Sequence, residues 1–174
     1  MAVCEVIKMG NSLLRSVSQP IAIDASSEEF QNLVDNLIDT MRSENGVGIA
    51  APQIGVLKRA FTMEVDSNSR YPEKESFSLV VAINPEITFL SDERVDSWEG
   101  CLSIPNIRGR LKRHKHIVLK EMDRNGTSFE TELTGFATIV AQHELDHLNG
   151  TLFIDRMENM ETLTFQEEYE KYWL

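Results

Sequence analysis

Gln142-His143-Glu144-Leu145-Asp146-His147-Leu148-Asn149-Gly150 is the stretch from which the rest of the chain can be read. It holds the pattern H-E-x-x-H. Residues four apart on a helix share a face, so the imidazoles of His143 and His147 can reach one metal ion. Glu144 is then placed to meet a water bound to that ion. The pattern points to a hydrolase whose nucleophile is metal-activated water. Bulk water has a pKa near ~15.7, and a bound zinc brings it to roughly 7. Glu144 takes the proton during attack and delivers it to the leaving amine. The helix carrying these residues is expected over 135–149, ending near Gly150.

Two histidines leave a third ligand to be found. Metal proteases with H-E-x-x-H-x-x-G-x-x-H take a histidine after the glycine. Here Gly150 fills the glycine position, but Phe153 stands at the ligand position and no histidine follows His147. Glu158, Glu161, Glu167, Glu168 and Glu170 are the downstream glutamates, all in a short acidic tail. Upstream, Glu99-Gly100-Cys101-Leu102-Ser103-Ile104-Pro105 supplies a cysteine. One cysteine and two histidines make a three-ligand site with a fourth position left for water. A thiolate with two neutral imidazoles leaves a divalent site with a net charge of about +1 and suits a softer, transition-type ion. The alternative for Cys101 is a buried structural thiol.

A third segment, Gly46-Val47-Gly48-Ile49-Ala50-Ala51-Pro52-Gln53-Ile54-Gly55, joins small residues to one amide. Glycine and alanine let a backbone approach a ligand closely, and Gln53 can donate an N–H to a developing oxyanion. The alternative is a tight turn packed on the core. The segment is not a phosphate loop, because it lacks G-x-G-x-x-G and G-K-[ST].

In this order the three segments resemble the signatures of the peptide deformylase family: G-x-G-x-A-A-x-Q, E-G-C-L-S and Q-H-E-x-D-H. Gly46, Gly48, Ala50, Ala51 and Gln53 fill the first, Glu99 to Ser103 the second, and Gln142, His143, Glu144, Asp146 and His147 the third. The resemblance implies removal of the formyl group from N-terminal formyl-methionine of nascent chains, giving formate and a free amine. It implies Cys101, His143 and His147 as metal ligands and Glu144 as general acid and base. Gln53 and the backbone N–H of Leu102 would stabilise the oxyanion. The implied metal is Fe²⁺, with Ni²⁺, Co²⁺ or Zn²⁺ as substitutes.

A substrate pocket is expected beside this centre. Ile139 and Val140 precede His143 by four and three residues and share its helical face, where an unbranched thioether could pack. Gly46, Val47 and Gly48 would flank it. The alternative is that Ile139 and Val140 face only the core. The basic run 108–116 follows the cysteine motif, and Arg108, nearest to it, is the candidate for peptide contact. The run could also dock on ribosomal RNA or form a solvated strand edge. His114 and His116 are expected on the surface.

The net charge of −11 excludes general nucleic-acid binding. Two cysteines make no disulfide scaffold, and a thiolate ligand calls for a reducing compartment. No stretch is apolar enough to span a membrane, and the first residues lack a secretory or transit pattern. A cytoplasmic protein of one domain, 1–174, is expected.

Apolar residues recur at helical spacing from Phe30 to Met41, after a capping box at Ser26-x-x-Glu29, predicting a helix over 27–44. Strands are expected over 59–65 and 79–84, separated by a loop over 66–76. A hairpin over 116–123 and 128–133 should turn at Asn125-Gly126. Phe165, Tyr169, Tyr172 and Trp173 are expected to cap the core. The fold class is α+β, with antiparallel strands around a buried helix bearing H-E-x-x-H. A peptidase, an inactive binding module and a structural metal site are the rival functions. Phe153, the retained Glu144 and Gln53, and the lack of a fourth ligand respectively weigh against them.

Overall fold

The computed structural model describes residues 2–22, 24–65 and 75–174. Helix α1 covers Glu28–Ser43, and strand β1 covers Gly48–Ala50. Strands β2 (Ala60–Val65), β3 (Phe77–Leu90), β4 (Arg94–Cys101), β5 (Ile104–His114), β6 (His116–Met122) and β7 (Ser128–Thr134) follow. Helix α2 covers Gly135–Leu148, and the chain closes with β8 (Thr164–Phe165) and helix α3 (Gln166–Tyr172). All strand pairs are antiparallel, in one sheet ordered β1-β2-β3-β6-β7 and a second ordered β4-β5-β8. Mixed helix and antiparallel sheet is the expected class.

Strand parity explains how one sheet serves two helices. Successive side chains point to opposite faces. Ala50, Phe61, Met63 and Ala82 pack with Val140, Ala141, Leu145 and Leu148 of α2. Their neighbours Ile49, Ala60 and Ile83 pack with Phe30, Val34, Leu37, Ile38 and Met41 of α1. A strand covered on both faces needs an unbroken apolar run, which is what Gly48–Ala50 provides. Burying each large side chain contributes about 1.5–3 kcal/mol. The other side of α2 meets β5. The second sheet has its own cluster of Leu14, Ile104, Leu111, Leu152 and Phe153 beside Cys101.

Three local expectations need correction. The N-cap of α1 is Ser27, whose side chain accepts from the Phe30 N–H at 3.4 Å, while the Ser26 hydroxyl donates to Asp24 at 2.6 Å. Strand β3 runs past 84 to Leu90. Asn84 has φ of 50° and Pro85 lacks an N–H, so together they resemble a strand end. A register break between Ile83 and Glu86 absorbs both. The Asn84 amide fixes the bend by accepting from the Ile21 N–H and donating to its carbonyl, both at 2.8 Å.

The third correction concerns the C-terminal aromatics, which do not cap the core. Helix α3 buries no residue, and Phe165 and Tyr172 are exposed. Leu152, Phe153 and Met157 have already closed that side.

The hairpin between β6 and β7 forms as expected. Gly126 has φ of 82°, and Asp123 accepts from the N–H groups of Asn125 and Thr127. Of the loop expected over 66–76, residues 66–74 lie outside the described residues.

Candidate active site

The site forms where α2, the turn after β4 and the segment after β1 meet. Gly135–Leu148 is an unusual helix: every residue from Val140 to Leu148 is buried, including two histidines, a glutamine and two acids. Buried polar groups must find partners, and these partners define the site.

Cys101, His143 and His147 are buried and bring one ligand atom each to within 4.8 Å of one another. Cys101 Sγ lies 3.2 Å from His147 Nε2. With metal–sulfur and metal–nitrogen bonds of about 2.3 and 2.0 Å, neighbouring ligands on a tetrahedral ion stand roughly 3.5 Å apart. The donor set therefore fits a divalent ion in both spacing and chemistry. Burial would push the Cys101 thiol up, but His147 and His143 more than reverse this and hold it well below its ordinary value. Burial likewise pushes His143 down, and its hydrogen bonds to Cys101 and Glu99 carry it well above. The surroundings thus favour the thiolate, the form that binds metal.

A chain of buried charges orients the first histidine. His143 Nδ1 donates to Glu99 Oε2 at 2.8 Å, which leaves Nε2 for a metal. Arg113 grips Glu99 with two bonds, Nε to Oε1 at 2.7 Å and Nη2 to Oε2 at 2.9 Å. Its Nη1 donates to Asp146 at 2.6 Å, and Arg156 donates to the other Asp146 oxygen at 2.7 Å. Burial alone would raise Glu99, but Arg113 and then His143 bring it down to about 2.

Glu144 contrasts with Glu99. Among the described residues its Oε2 has no hydrogen-bond partner, and burial pushes the carboxyl up to about 7 against the lowering effect of His143 and His147. A carboxyl poised near neutrality can both take and return a proton. It fits only because residue 48 is glycine: a Cβ there would lie 2.4 Å from Glu144 Oε1 and 2.9 Å from Val140.

Gln53 is 1% exposed. Its Oε1 accepts from the Ala50 N–H at 2.9 Å, so the amide nitrogen faces Ser103 Oγ at 3.2 Å and Cys101 Sγ at 3.6 Å. The Ser103 N–H also points at the sulfur, at 3.4 Å.

A cleft opens at this centre, and its walls include Gly46, Val47, Gly48, Gln53, Leu102, Ile139, Val140 and Glu144. The expected site residues are thus brought to one place, and Arg108 lines the groove that adjoins it past Trp98, Phe136 and Ile139. Arg108 is buried behind Gly100, where a Cβ would meet its Nη1 at 2.8 Å, and its Nε donates to Gln166 at 2.6 Å. The basic run is not a uniform surface strip. Arg108 and Arg113 are buried, whereas Arg110, Lys112 and Lys115 are exposed and paired with Asp96, Glu158 and Glu93.

Arg113, Arg156, Trp98 and Phe136 were not expected in or around the site, and Asp146 was expected only as a position of the motif, with no partner assigned to it. Leu111, an apolar residue within a basic run, marks the inner face of β5 and places Arg113 two positions on, on that same face. Phe136 could have been found from its spacing of three to Ile139.

The polypeptide deformylase family model matches residues 3–163. A peptide deformylase of Leptospira biflexa is 39% identical over 172 residues, covering 98% of this chain and 96% of that protein. A solved class I type b peptide deformylase from Acinetobacter baumannii superposes with a TM-score of 0.87 at 38% identity, covering 91% of this chain and all of the other. The Met-Ala-Ser-bound structure from the same organism has a TM-score of 0.86 at 38% identity, covering 90% and 99%.

Proposed function

The chain belongs to the polypeptide deformylase family, and from that premise we propose that it hydrolyses the formyl group from N-formylmethionyl peptides, releasing formate and a free amine. One observation carries the reading: the spacing of the Cys101, His143 and His147 ligand atoms beside a buried, unpartnered Glu144 oxygen. We take the three as ligands of one divalent ion, with Fe²⁺ as the native metal and Ni²⁺, Co²⁺ or Zn²⁺ as substitutes. A bound ion of this kind lowers the pKa of a coordinated water from ~15.7 to roughly 7.

The remaining chemistry falls to the chain. Glu144 accepts the proton of the attacking water and returns it to the departing nitrogen. The Gln53 amide and the Leu102 N–H donate to the oxygen that gains charge, a contribution of about 10²–10³ in rate per donor. Gly46, Val47 and Gly48 let the substrate backbone come close, and Ile139 and Val140 offer apolar surface to the methionine side chain. The Acinetobacter baumannii neighbour was solved with Met-Ala-Ser, a peptide of the kind this reaction leaves. A single catalytic domain over 1–174, a cytoplasmic setting and transient contact with the ribosome belong to the same reading.

The test uses protein purified anaerobically with iron and a formyl-Met-Ala-Ser peptide, with formate and free amine both measured. Glu144→Ala is expected to lower formate release by about 10²–10⁴ with metal content unchanged. Formate absent from a fully metal-loaded parent, or internal peptide bonds cut instead, would overturn the proposal.

A further inference from the structure

Helix α3 has no share in either core, yet it is attached at three points, and each leads back to the cleft. Trp98, on β4 three residues before Cys101, lines the cleft beside Gly100, Phe136 and Ile139. Its indole meets two aromatic rings of the C-terminal segment, Tyr169 and Trp173, each with ring centroids 5.0 Å away and tilted by about 50°. Pairs in this geometry attract beyond their buried area. Arg108 forms the third attachment. Its guanidinium fills the space behind Gly100, donates to Gln166 at 2.6 Å and lies 5.8 Å from the centroid of Tyr169.

The attachment is otherwise slight. Beyond it, β8 adds two residue pairs to β5, and Trp173 is 49% exposed. A seven-residue helix with no buried residue gains little stability on its own. Its fixed position therefore depends on Trp98, Gly100 and Arg108, all on the hairpin that carries Cys101.

We propose that α3 buttresses the substrate cleft: Tyr169 and Trp173 hold the Trp98 indole in place as its wall, and Arg108 with Gln166 fixes the helix against Gly100. Trp173 is a positioning residue that acts on substrate through Trp98, whereas Tyr169, Gln166 and Arg108 also line the groove that adjoins the cleft. The effect falls on binding of the formylated residue and the peptide after it, and not on the bond-breaking step, because none of the four is among the clustered ligand residues and Trp173 lines neither the cleft nor the groove adjoining it. This inference rests on the deformylase reading above.

The experiment compares the parent, Trp173→Ala, Tyr169→Ala and Trp173→Phe as metal-loaded full-length proteins. Formyl-Met-Ala-Ser kinetics are measured alongside calorimetric binding of Met-Ala-Ser and the thermal midpoint. The alanine variants are expected to raise KM and the Met-Ala-Ser dissociation constant together by about three- to tenfold. Their kcat should stay within about twofold, and Trp173→Phe should recover most of the loss. Unchanged KM in both alanine variants overturns the proposal. So does a fall in kcat matching the fall in thermal midpoint that phenylalanine does not rescue. A parent that binds Met-Ala-Ser but releases no formate overturns the deformylase reading instead, and the binding data on the variants still decide the role of α3.

Discussion

The two long helices are built on opposite principles. Helix α1 divides by face: Phe30, Val34, Leu37, Ile38 and Met41 are buried, and Thr40 is its only buried polar residue. Helix α2 hides its polar residues, with Gln142, His143, Glu144, Asp146 and His147 all buried. For α1 burial is a gain, since apolar surface leaves water. For α2 each buried polar group is a cost until another element satisfies it. Glu99, Arg113, Arg156 and the His114 backbone do so for His143, Asp146 and Gln142 from outside the helix, the last at 3.0 and 2.9 Å. A structural helix can therefore be specified by its own residues, whereas the helix that carries the candidate site is specified by its neighbours.

The sharpest way to break this contrast is to remove a neighbour of α2. Arg113→Met would leave Glu99 and Asp146 without their shared cation. Urea unfolding should show a loss of about 3–5 kcal/mol, and a loss below about 1 kcal/mol would place α2 in the same class as α1. Leu37→Ala should cost about 3 kcal/mol through its cavity. Here kcat/KM per folded molecule should hold, and a drop in it would show that α1 also shapes the site.

Glu121 sharpens the comparison from outside both helices. It is buried on β6, accepts from Thr131 at 3.0 Å with one oxygen, and has no partner for the other among the described residues. Burial pushes its carboxyl up to about 7 from an ordinary 4.5. Below pH 4.5 the group is protonated folded or unfolded, and folding costs nothing extra. Above 7 the folded protein must bury an anion, so stability falls as pH rises between the two. Glu121→Gln should be more stable than the parent by about 2 kcal/mol at pH 8 and nearly equal to it at pH 4. A gap that stays constant with pH would refute the assignment. The smallest effect belongs to the α1 cap, where Ser27→Ala should cost about 1 kcal/mol in the same assay.

The same contrast explains what could be read from sequence. Helix α1 was legible because its apolar spacing is local; only the cap was misplaced, by one serine, since Ser26 and Ser27 differ in backbone geometry and not in chemistry. Helix α2 was legible through its motif. Cys101 and Gln53 followed because their segments are short and self-contained. The Glu99–Arg113–Asp146 network was not legible, because it depends on a β4–β5 register that sets Glu99 opposite Gly109 and Val95 opposite Arg113. Chain order alone does not contain that pairing. Arg108 was legible from its nearness in sequence to Cys101, but its hydrogen bond to Gln166 of α3 was not.

The contact between Trp98 and Trp173 has a practical consequence for spectroscopy. These are the only tryptophans in the chain, and their rings lie 5.0 Å apart in one cluster. Tryptophan emission therefore comes from a single spot where a lightly attached helix meets β4. A thermal melt followed by that emission will record α3 coming away, while amide circular dichroism follows the sheets and α2. The two midpoints will separate in proportion to how early α3 detaches.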